Sequence, residues 1–335
     1  MNTKTVPTAL FAGIPERLQE AYPQELRREI ADRVNILPME MDAENWRAHL
    51  PALRQADVIM ATWGMPSLTP EFLAAAENLK AVFYAAGSVK GFATDAAFER
   101  GIVISSARRV NAIAVAEYAA AVVVLSLKQF WAYARTTRET RSWARSIPVP
   151  GTCRATVGLV SLGATGRQTA GILSRLDCDL IVYDPTVSEE GARALGVRLV
   201  SLEDLFRRAD VVSVHAPLLP ETRGMITASL LGLLKPGATL INTSRGAVIN
   251  EKEMCGVLAA RPDITAVLDV LDPEPPDPQS PLFFFPNVVL TPHISGSMGT
   301  EIERMGRWMF EELKAHLCGS PLSHRVTRKM LLQMA

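Results

Sequence analysis

VGLVSLGATGRQTA, Val157 to Ala170, runs from an apolar segment of strand length through a glycine-bearing turn into a helix-compatible segment. This is the shape of a loop that cradles a dinucleotide: glycine lets the backbone approach a pyrophosphate and lets helix and strand touch. In the form G-x-G-x-x-G the first glycine falls at position 161, where this chain has Ser161; Gly163 and Gly166 supply the other two. A small serine is accommodated at the opening of the turn provided its backbone angles are not positive. The amides of Ala164 and Thr165, at the positive end of the following helix, are the expected pyrophosphate donors. Eighteen residues after Gly166 the next apolar run ends in Tyr183-Asp184-Pro185, close to the ~20 residues that separate such a loop from its ribose-binding acid. Asp184 is the candidate, and with no arginine just after it the acid favours NAD over NADP, because a 2′-phosphate would be repelled.

Outward from this loop the chain divides into two alternating series. From Ala155 onward, ATVGLVS, DLIVYDP, ADVVSVHAP, GATLINTS, DITAVLDV and NVVLTPH alternate with helical segments, which suits two mononucleotide-binding halves of a doubly wound parallel sheet. Before residue 107, TALFAG, VNILP, DVIMATW, KAVFYAAG and IVISSA alternate with segments such as PQELRREIADR and TPEFLAAAENL, predicting a second parallel sheet. Between the series, a helix from Asn111 to about Lys128 is apolar nearly all round and is expected to be buried between larger bodies. The following FWAYARTTRETRSWARSIPVPG matches no simple element and reads as an exposed arm and linker, or as a surface for a second subunit. A last helix, Met298 to about Leu317, is expected to return to the first body, giving a discontinuous domain around an inserted one.

Composition excludes several function classes. At 335 residues the chain is long enough to bury roughly three quarters of its unfolded surface and to form two domains. Thirty-five basic residues balance 35 acidic ones, so no net field draws the chain to nucleic acid or anionic lipid. Cys153, Cys178, Cys255 and Cys318 are scattered, with neither the spacing of a disulfide framework nor that of a metal site, as expected for reduced thiols in the cytoplasm. The apolar run VPTALFAGIP is too short for a membrane span and is followed at once by Glu16 and Arg17, so it reads as a core strand.

Three more stretches lie at strand ends of the second series: INTSRGAVIN with Arg245, LDVLDPEPP with Asp269 and Glu274, and LTPHISG with His293. Singly, each has a bland explanation as surface charge or structural histidine. Together at one end of one sheet they match what reduction of a 2-keto acid needs. Arg245 offers a charged fork for carboxylate and carbonyl, and His293 offers a proton near neutral pH. Glu274 beside it favours the imidazolium and fixes the ring, while Asp269 suits the nicotinamide side.

At these residues the chain resembles the D-isomer-specific 2-hydroxyacid dehydrogenases, the family of phosphoglycerate dehydrogenase and glyoxylate/hydroxypyruvate reductase. AAGSVKGFATDAAFERGIVISSA, NAIAVAEYAAA, ADVVSVHAPLLPETRGMI, LLKPGATLINTSRGAVIN, AVLDVLDPEPP and NVVLTPHISG all look like its signature segments. The resemblance implies an α/β architecture: a doubly wound Rossmann NAD-binding domain, residues 108–296, inserted in a smaller flavodoxin-like substrate domain, residues 1–107 plus 297–335. It implies Arg245, Glu274 and His293 as catalytic residues, Asp269, Thr243 and Ser244 near the nicotinamide, and His215 and Pro217 lining the adenosine pocket. Ser88 and Val89 fall on its substrate-carboxylate loop, and Asn111 opens the interdomain helix. It also implies a homodimer acting on a small 2-hydroxy or 2-keto acid, with two domains closing over the ligands and no metal. A rival reading is an NAD-sensing corepressor-like interaction protein of the same fold; relatives that oxidise formate carry glutamine where Glu274 stands. The chain departs from the family at Ser161, at Lys90, where aspartate is usual, and at Arg108-Arg109, where proline-glycine is usual. These cations are either solvated charge or partners for a second anionic group on the substrate.

Overall fold

The computed structural model describes residues 6–143, 146–331 and 334, and divides into two compact units. One comprises residues 1–111 with 297–334 and the other residues 112–296, so the division falls inside the first turn of the long apolar helix. The first unit begins with β1 (Thr8–Ala12), β2 (Asn35–Met41), β3 (Val58–Ala61), β4 (Ala81–Tyr84) and β5 (Val103–Ser106). The second contains β6 (Ala155–Val160), β7 (Cys178–Tyr183), β8 (Arg198–Leu199), β9 (Val211–Val214), β10 (Thr239–Asn242), β11 (Thr265–Leu268) and β12 (Val288–Leu290). The last strand, β13 (Arg325–Val326), belongs to the first unit.

In the first unit the sheet order is β13-β5-β4-β3-β1-β2, parallel except for β13 against β5. Strand residues alternate between two cores, as the pleat requires. Leu10, Ala12, Ile59, Ala61, Val82 and Ile104 pack on one face. Ala9, Phe11, Val58, Met60, Ala81 and Phe83 pack on the other, against Ile302, Met305, Met309 and Leu313 of the Thr300–Leu317 helix. Glu312 of that helix is buried, and its carboxylate accepts from the Ser105 hydroxyl at 2.7 Å and from the amides of Ser323 and His324 at 2.9 and 3.0 Å, tying β13 to the sheet.

The second unit is a seven-stranded parallel sheet, order β12-β11-β10-β9-β6-β7-β8. Strand order reverses at β6, between β7 and β9, the arrangement of a doubly wound dinucleotide fold. Val160, Val212, Val214, Leu240 and Leu268 face one core, and Val157, Leu159, Val211, Ile241 and Val267 the other. The two-residue β8 at the edge was not expected from the sequence.

The long helix spans Arg108–Leu127. By length and apolarity it would cross a membrane, but most of its apolar window is buried: Val110 lies in a first-unit core and Val123 and Leu127 in a second-unit core. The segment that fits no simple element in the sequence is in its first part a helix, Phe130–Thr140, with no buried residue. It is bounded by Gln129 and Arg141, both with left-handed backbones at φ 52 and 51, so neither end carries the glycine or proline that marks such breaks in sequence. Ala144 and Arg145, in the same segment, lie outside the described residues.

Candidate active site

The glycine turn joins β6 to the Ala164–Leu173 helix. Gly163 is the N-cap with no side-chain cap hydrogen bond, and a Cβ built on it would meet nothing within 4 Å, so the turn is open on that side. A Cβ on Gly166 would lie 2.1 Å from the Ser161 carbonyl oxygen, so helix and turn touch there. Ser161 itself has φ +82, against the expectation that its angles are not positive. The strained geometry is held from outside: the Ser161 amide donates to the Tyr183 carbonyl at 2.8 Å and its hydroxyl to the Asp184 carboxylate at 3.2 Å.

Asp184, just beyond β7, is heavily engaged. One oxygen accepts from the Leu162 amide at 2.7 Å and from Ser161; the other accepts from the Thr186 amide and hydroxyl at 2.8 and 2.7 Å. Partial burial opposes its ionisation, but these donors outweigh it and hold the carboxyl below its ordinary pKa. The acid therefore fixes the turn as well as standing where a ribose acid is expected.

Beyond β9 and β10, two buried polar atoms lack partners: His215 Nδ1 and Thr243 Oγ1. Buried polar groups are almost always satisfied, so two orphans on neighbouring strand ends, beside an uncapped helix, fit a polar ligand such as a dinucleotide. The other ring nitrogen of His215 lies 3.1 Å from the Ser213 hydroxyl, while the Pro217 carbonyl accepts from the Thr222 hydroxyl. Burial lowers the His215 pKa to about 4, whereas in an unfolded chain it is ~6.5. Between these values the unfolded state binds a proton that the folded state does not, so stability falls as pH drops from about 6.5 to about 4, by on the order of 3 kcal/mol in all. Chemical denaturation of His215→Gln across this window should show a flatter acid limb; profiles parallel to wild type would refute the assignment.

The turn after β10 is built on Asn242, which is fully buried. Its carbonyl oxygen accepts from the Ser244 amide and hydroxyl at 3.0 and 2.9 Å, and its amide nitrogen donates to the Arg245 carbonyl at 3.0 Å. Arg245 donates from its guanidinium to the Ser244 carbonyl at 2.7 Å. Burial pulls the Arg245 pKa below its ordinary value, offset in part by the charge of Glu274. A guanidinium nonetheless stays protonated. Gly246 follows, and a Cβ on it would sit 2.0 Å from the Leu271 carbonyl carbon, so the turns after β10 and β11 touch backbone to backbone.

Glu274 accepts from the Leu271 amide at 3.0 Å with one oxygen and meets His293 Nδ1 at 2.9 Å with the other. His293, beyond β12, has φ +55, and its amide donates to the carbonyls of Asp269 and Thr291. The structure thus brings Arg245, Glu274 and His293 together at the carboxyl ends of the adjacent strands β10, β11 and β12. Asp269 plays a part the sequence did not suggest. It is buried, and its carboxylate accepts from the Thr291 hydroxyl at 2.6 Å and the amides of Ile294 and Ser295 at 2.8 Å each. It holds the loop that carries His293.

Tyr118, from the long helix, lies with its hydroxyl 3.1 Å from Thr291 Oγ1, extending this network. Burial raises its pKa, as does the charge of Asp269, against the effect of the Thr291 hydrogen bond. Sequence reading passed over Tyr118, Asn242 and Thr291; a tyrosine in an alanine-valine helix reads as core, and only its lone hydroxyl among apolar neighbours signals otherwise.

In the first unit, Val89 is fully buried and Ser88 partly so, in the turn after β4. Lys90 lines an open cavity with Ala93, Asp95, Arg328, Lys329 and Leu331. Arg108 is half-buried, its pKa lowered by desolvation and by the neighbouring charge of Arg109. Among the described residues no cluster of three or more metal-ligating side chains occurs.

The chain is 35% identical to D-3-phosphoglycerate dehydrogenase of Mycobacterium tuberculosis over 272 residues, 81% of this chain and 51% of that protein, so it spans about half the length of such relatives. A phosphoglycerate oxidoreductase from Rhizobium etli superposes with a TM-score of 0.80 at 22% identity, covering 97% of this chain and 99% of that one. The D-mandelate dehydrogenase of Rhodotorula graminis gives 0.78 at 23% identity, covering 97% and 98%. The family model described as D-isomer specific 2-hydroxyacid dehydrogenase, NAD binding domain, matches residues 120–295, more than half of the chain. The chain therefore belongs to the D-isomer specific 2-hydroxyacid dehydrogenase family and carries that family's NAD-binding domain.

Proposed function

We propose that the chain is an NAD-dependent oxidoreductase that interconverts D-2-hydroxy acids and 2-keto acids, working in the cytoplasm as a homodimer. The observation that carries this reading is the His293–Glu274 contact of 2.9 Å beside Arg245, on three adjacent strand ends of an NAD-binding domain. Bound NADH supplies the hydride for the carbonyl carbon of the substrate. Arg245 holds the carboxylate and polarises the carbonyl. His293, with Nδ1 committed to Glu274, protonates the developing alkoxide through Nε2. Asp269 fixes the His293 loop, at the nicotinamide side. In the coenzyme site, Gly163, Ala164, Thr165 and Gly166 receive the pyrophosphate and Asp184 the adenosine ribose, with His215 and Pro217 around the adenosine and Thr243 and Ser244 toward the nicotinamide. The first unit is the substrate domain, where the turn with Ser88 and Val89 receives the carboxylate. Proteins sharing this fold are named for substrates as different as phosphoglycerate and mandelate, so the fold alone leaves the substrate side chain open.

The test is consumption of NADH with glyoxylate, hydroxypyruvate, pyruvate, oxaloacetate and bulkier 2-keto acids. Turnover of at least one acid is expected. NADH should be preferred over NADPH by at least about tenfold, since two like charges ~4 Å apart repel by up to a few kcal/mol near a protein surface, and Asp184→Ala should narrow that margin. Tight NADH binding without turnover of any acid would overturn the reading in favour of a coenzyme-sensing interaction protein.

A further inference from the structure

The sheet of the first unit has a topological switch of its own. From β1 the chain passes outward to β2, then crosses back over β1 to β3 and continues to β4 and β5. Ligands of open α/β sheets bind beyond the carboxyl ends of the strands at such a reversal, here between β1 and β3. At that point β1 runs into Gly13-Ile14 and β3 into Thr62-Trp63-Gly64.

These two turns are clamped into a fixed ledge. The Ile14 amide donates to the Trp63 carbonyl at 2.7 Å, the Gly13 amide to the Met41 carbonyl at 2.8 Å, and the Ala43 amide to the Gly64 carbonyl at 2.9 Å. Gly64 has φ +84, and a Cβ on it would come within 2.5 Å of Ile14 Cγ1, so the isoleucine side chain lies on bare glycine backbone. Trp63 is half-buried against both cores of the unit, while Ile14 remains 43% exposed. Arg17 stands by this ledge, its guanidinium over the Trp63 ring at 5.9 Å from the centroid and paired with Glu20 at 2.7 Å. A rigid apolar and aromatic surface at a switch point, with its neighbouring cation already neutralised, has the composition of a small-molecule subsite for an apolar group.

Resting on the functional reading above, we propose that Trp63 and Ile14 form the side-chain subsite of the substrate and select a 2-keto acid with a branched or aromatic apolar side chain over one carrying a phosphate or a second carboxylate. The turn with Ser88 and Val89 follows β4, the strand next to β3, and neighbouring strands lie ~4.8 Å apart. A substrate whose carboxylate rests at the end of β4 carries its side chain over the end of β3, onto Trp63. An aromatic group gains stacking there in addition to burial, whereas a phosphate loses hydration without gaining an unpaired cation. Lys90, Arg108 and Arg109 follow β4 and β5 rather than β1 and β3, so selection of a dianionic acid by those residues is the opposing outcome.

The experiment compares kcat/KM for phenylpyruvate, 4-methyl-2-oxopentanoate, oxaloacetate and 3-phosphohydroxypyruvate, each as a ratio to glyoxylate, which has no side chain to seat. The wild-type ratios for the two apolar acids should exceed those for the two anionic ones by about tenfold or more. Trp63→Ala should lower the phenylpyruvate ratio by roughly tenfold, and Trp63→Arg should raise the 3-phosphohydroxypyruvate ratio. Because each value is referred to glyoxylate, a general loss of folded enzyme cancels; should Trp63→Ala fail to fold, Ile14→Ala carries the same test from the exposed edge. An anionic acid preferred by the wild type, or ratios unmoved in the variants while glyoxylate is still reduced, would overturn this subsite alone. Absence of turnover with every acid, glyoxylate included, would overturn the functional reading and the subsite with it.

Discussion

His293→Ala is expected to lower turnover by about 10²- to 10⁴-fold while NADH binding stays close to wild type. Among the described residues the imidazole makes one hydrogen bond, Nδ1 to Glu274 at 2.9 Å. The backbone beneath it is held independently. The His293 amide donates to the Asp269 and Thr291 carbonyls, and the next two amides donate to the Asp269 carboxylate. Truncation therefore removes the proton donor and leaves its loop in place, so the loss falls on kcat rather than on coenzyme affinity or folding. Glu274→Gln separates orientation from charge: the amide can still reach Nδ1 but carries no negative charge. A smaller loss of kcat than in His293→Ala is the expected result. Near wild-type turnover in His293→Ala would remove this residue from the proposed chemistry.

Gly246→Ala is expected to destabilise the protein by about 3 kcal/mol or more and to cost a comparable share of activity. The added methyl would lie 2.0 Å from the Leu271 carbonyl carbon and 2.2 Å from its oxygen. Both are backbone atoms next to β11, so no side-chain rotation relieves the overlap. The structure can yield by displacing the turn after β10, which carries Arg245, or the 271–274 turn, which presents Glu274 to His293. Either movement separates groups that must meet within hydrogen-bond reach. Urea denaturation and kcat/KM measured on the same preparation check this; an alanine variant matching wild type in both would show that the two turns do not touch.

Much of the fold was legible because two parallel sheets, each buried on both faces, write their strands as short uninterrupted apolar runs. The runs around Val157, Val212, Leu240 and Val267 are strands of one sheet. Less legible was whatever depended on backbone angles or distant partners. The helix of residues 130–140 begins and ends at Gln129 and Arg141 in left-handed conformations that neither residue type announces. Ser161 reads as a tolerable substitute for glycine, yet it adopts φ +82 because Tyr183 and Asp184, more than twenty residues away, hold it there. At the site, the residue types pointed to Arg245, Glu274 and His293 as a group, since each chemistry has few candidate side chains. The part Asp269 plays in holding the His293 loop was illegible for the opposite reason. A carboxylate is equally suited to a ligand or to three donors of its own protein, and only coordinates reveal that Thr291, Ile294 and Ser295 occupy it.

The discontinuity of the first unit orders events during synthesis. One face of its sheet, with Phe11, Met60 and Phe83, is covered in part by Ile302, Met305, Met309 and Leu313, beside Leu18, Tyr22 and Ile30, and its β5 edge by residues 325 and 326. Residues 112–296, by contrast, form their unit from one continuous stretch. On the ribosome the middle of the polypeptide can therefore reach its native packing first, while the segment made earliest waits with an oily flank partly uncovered. That interval is when a nascent copy is most exposed to chaperone capture or to sticking to its neighbours.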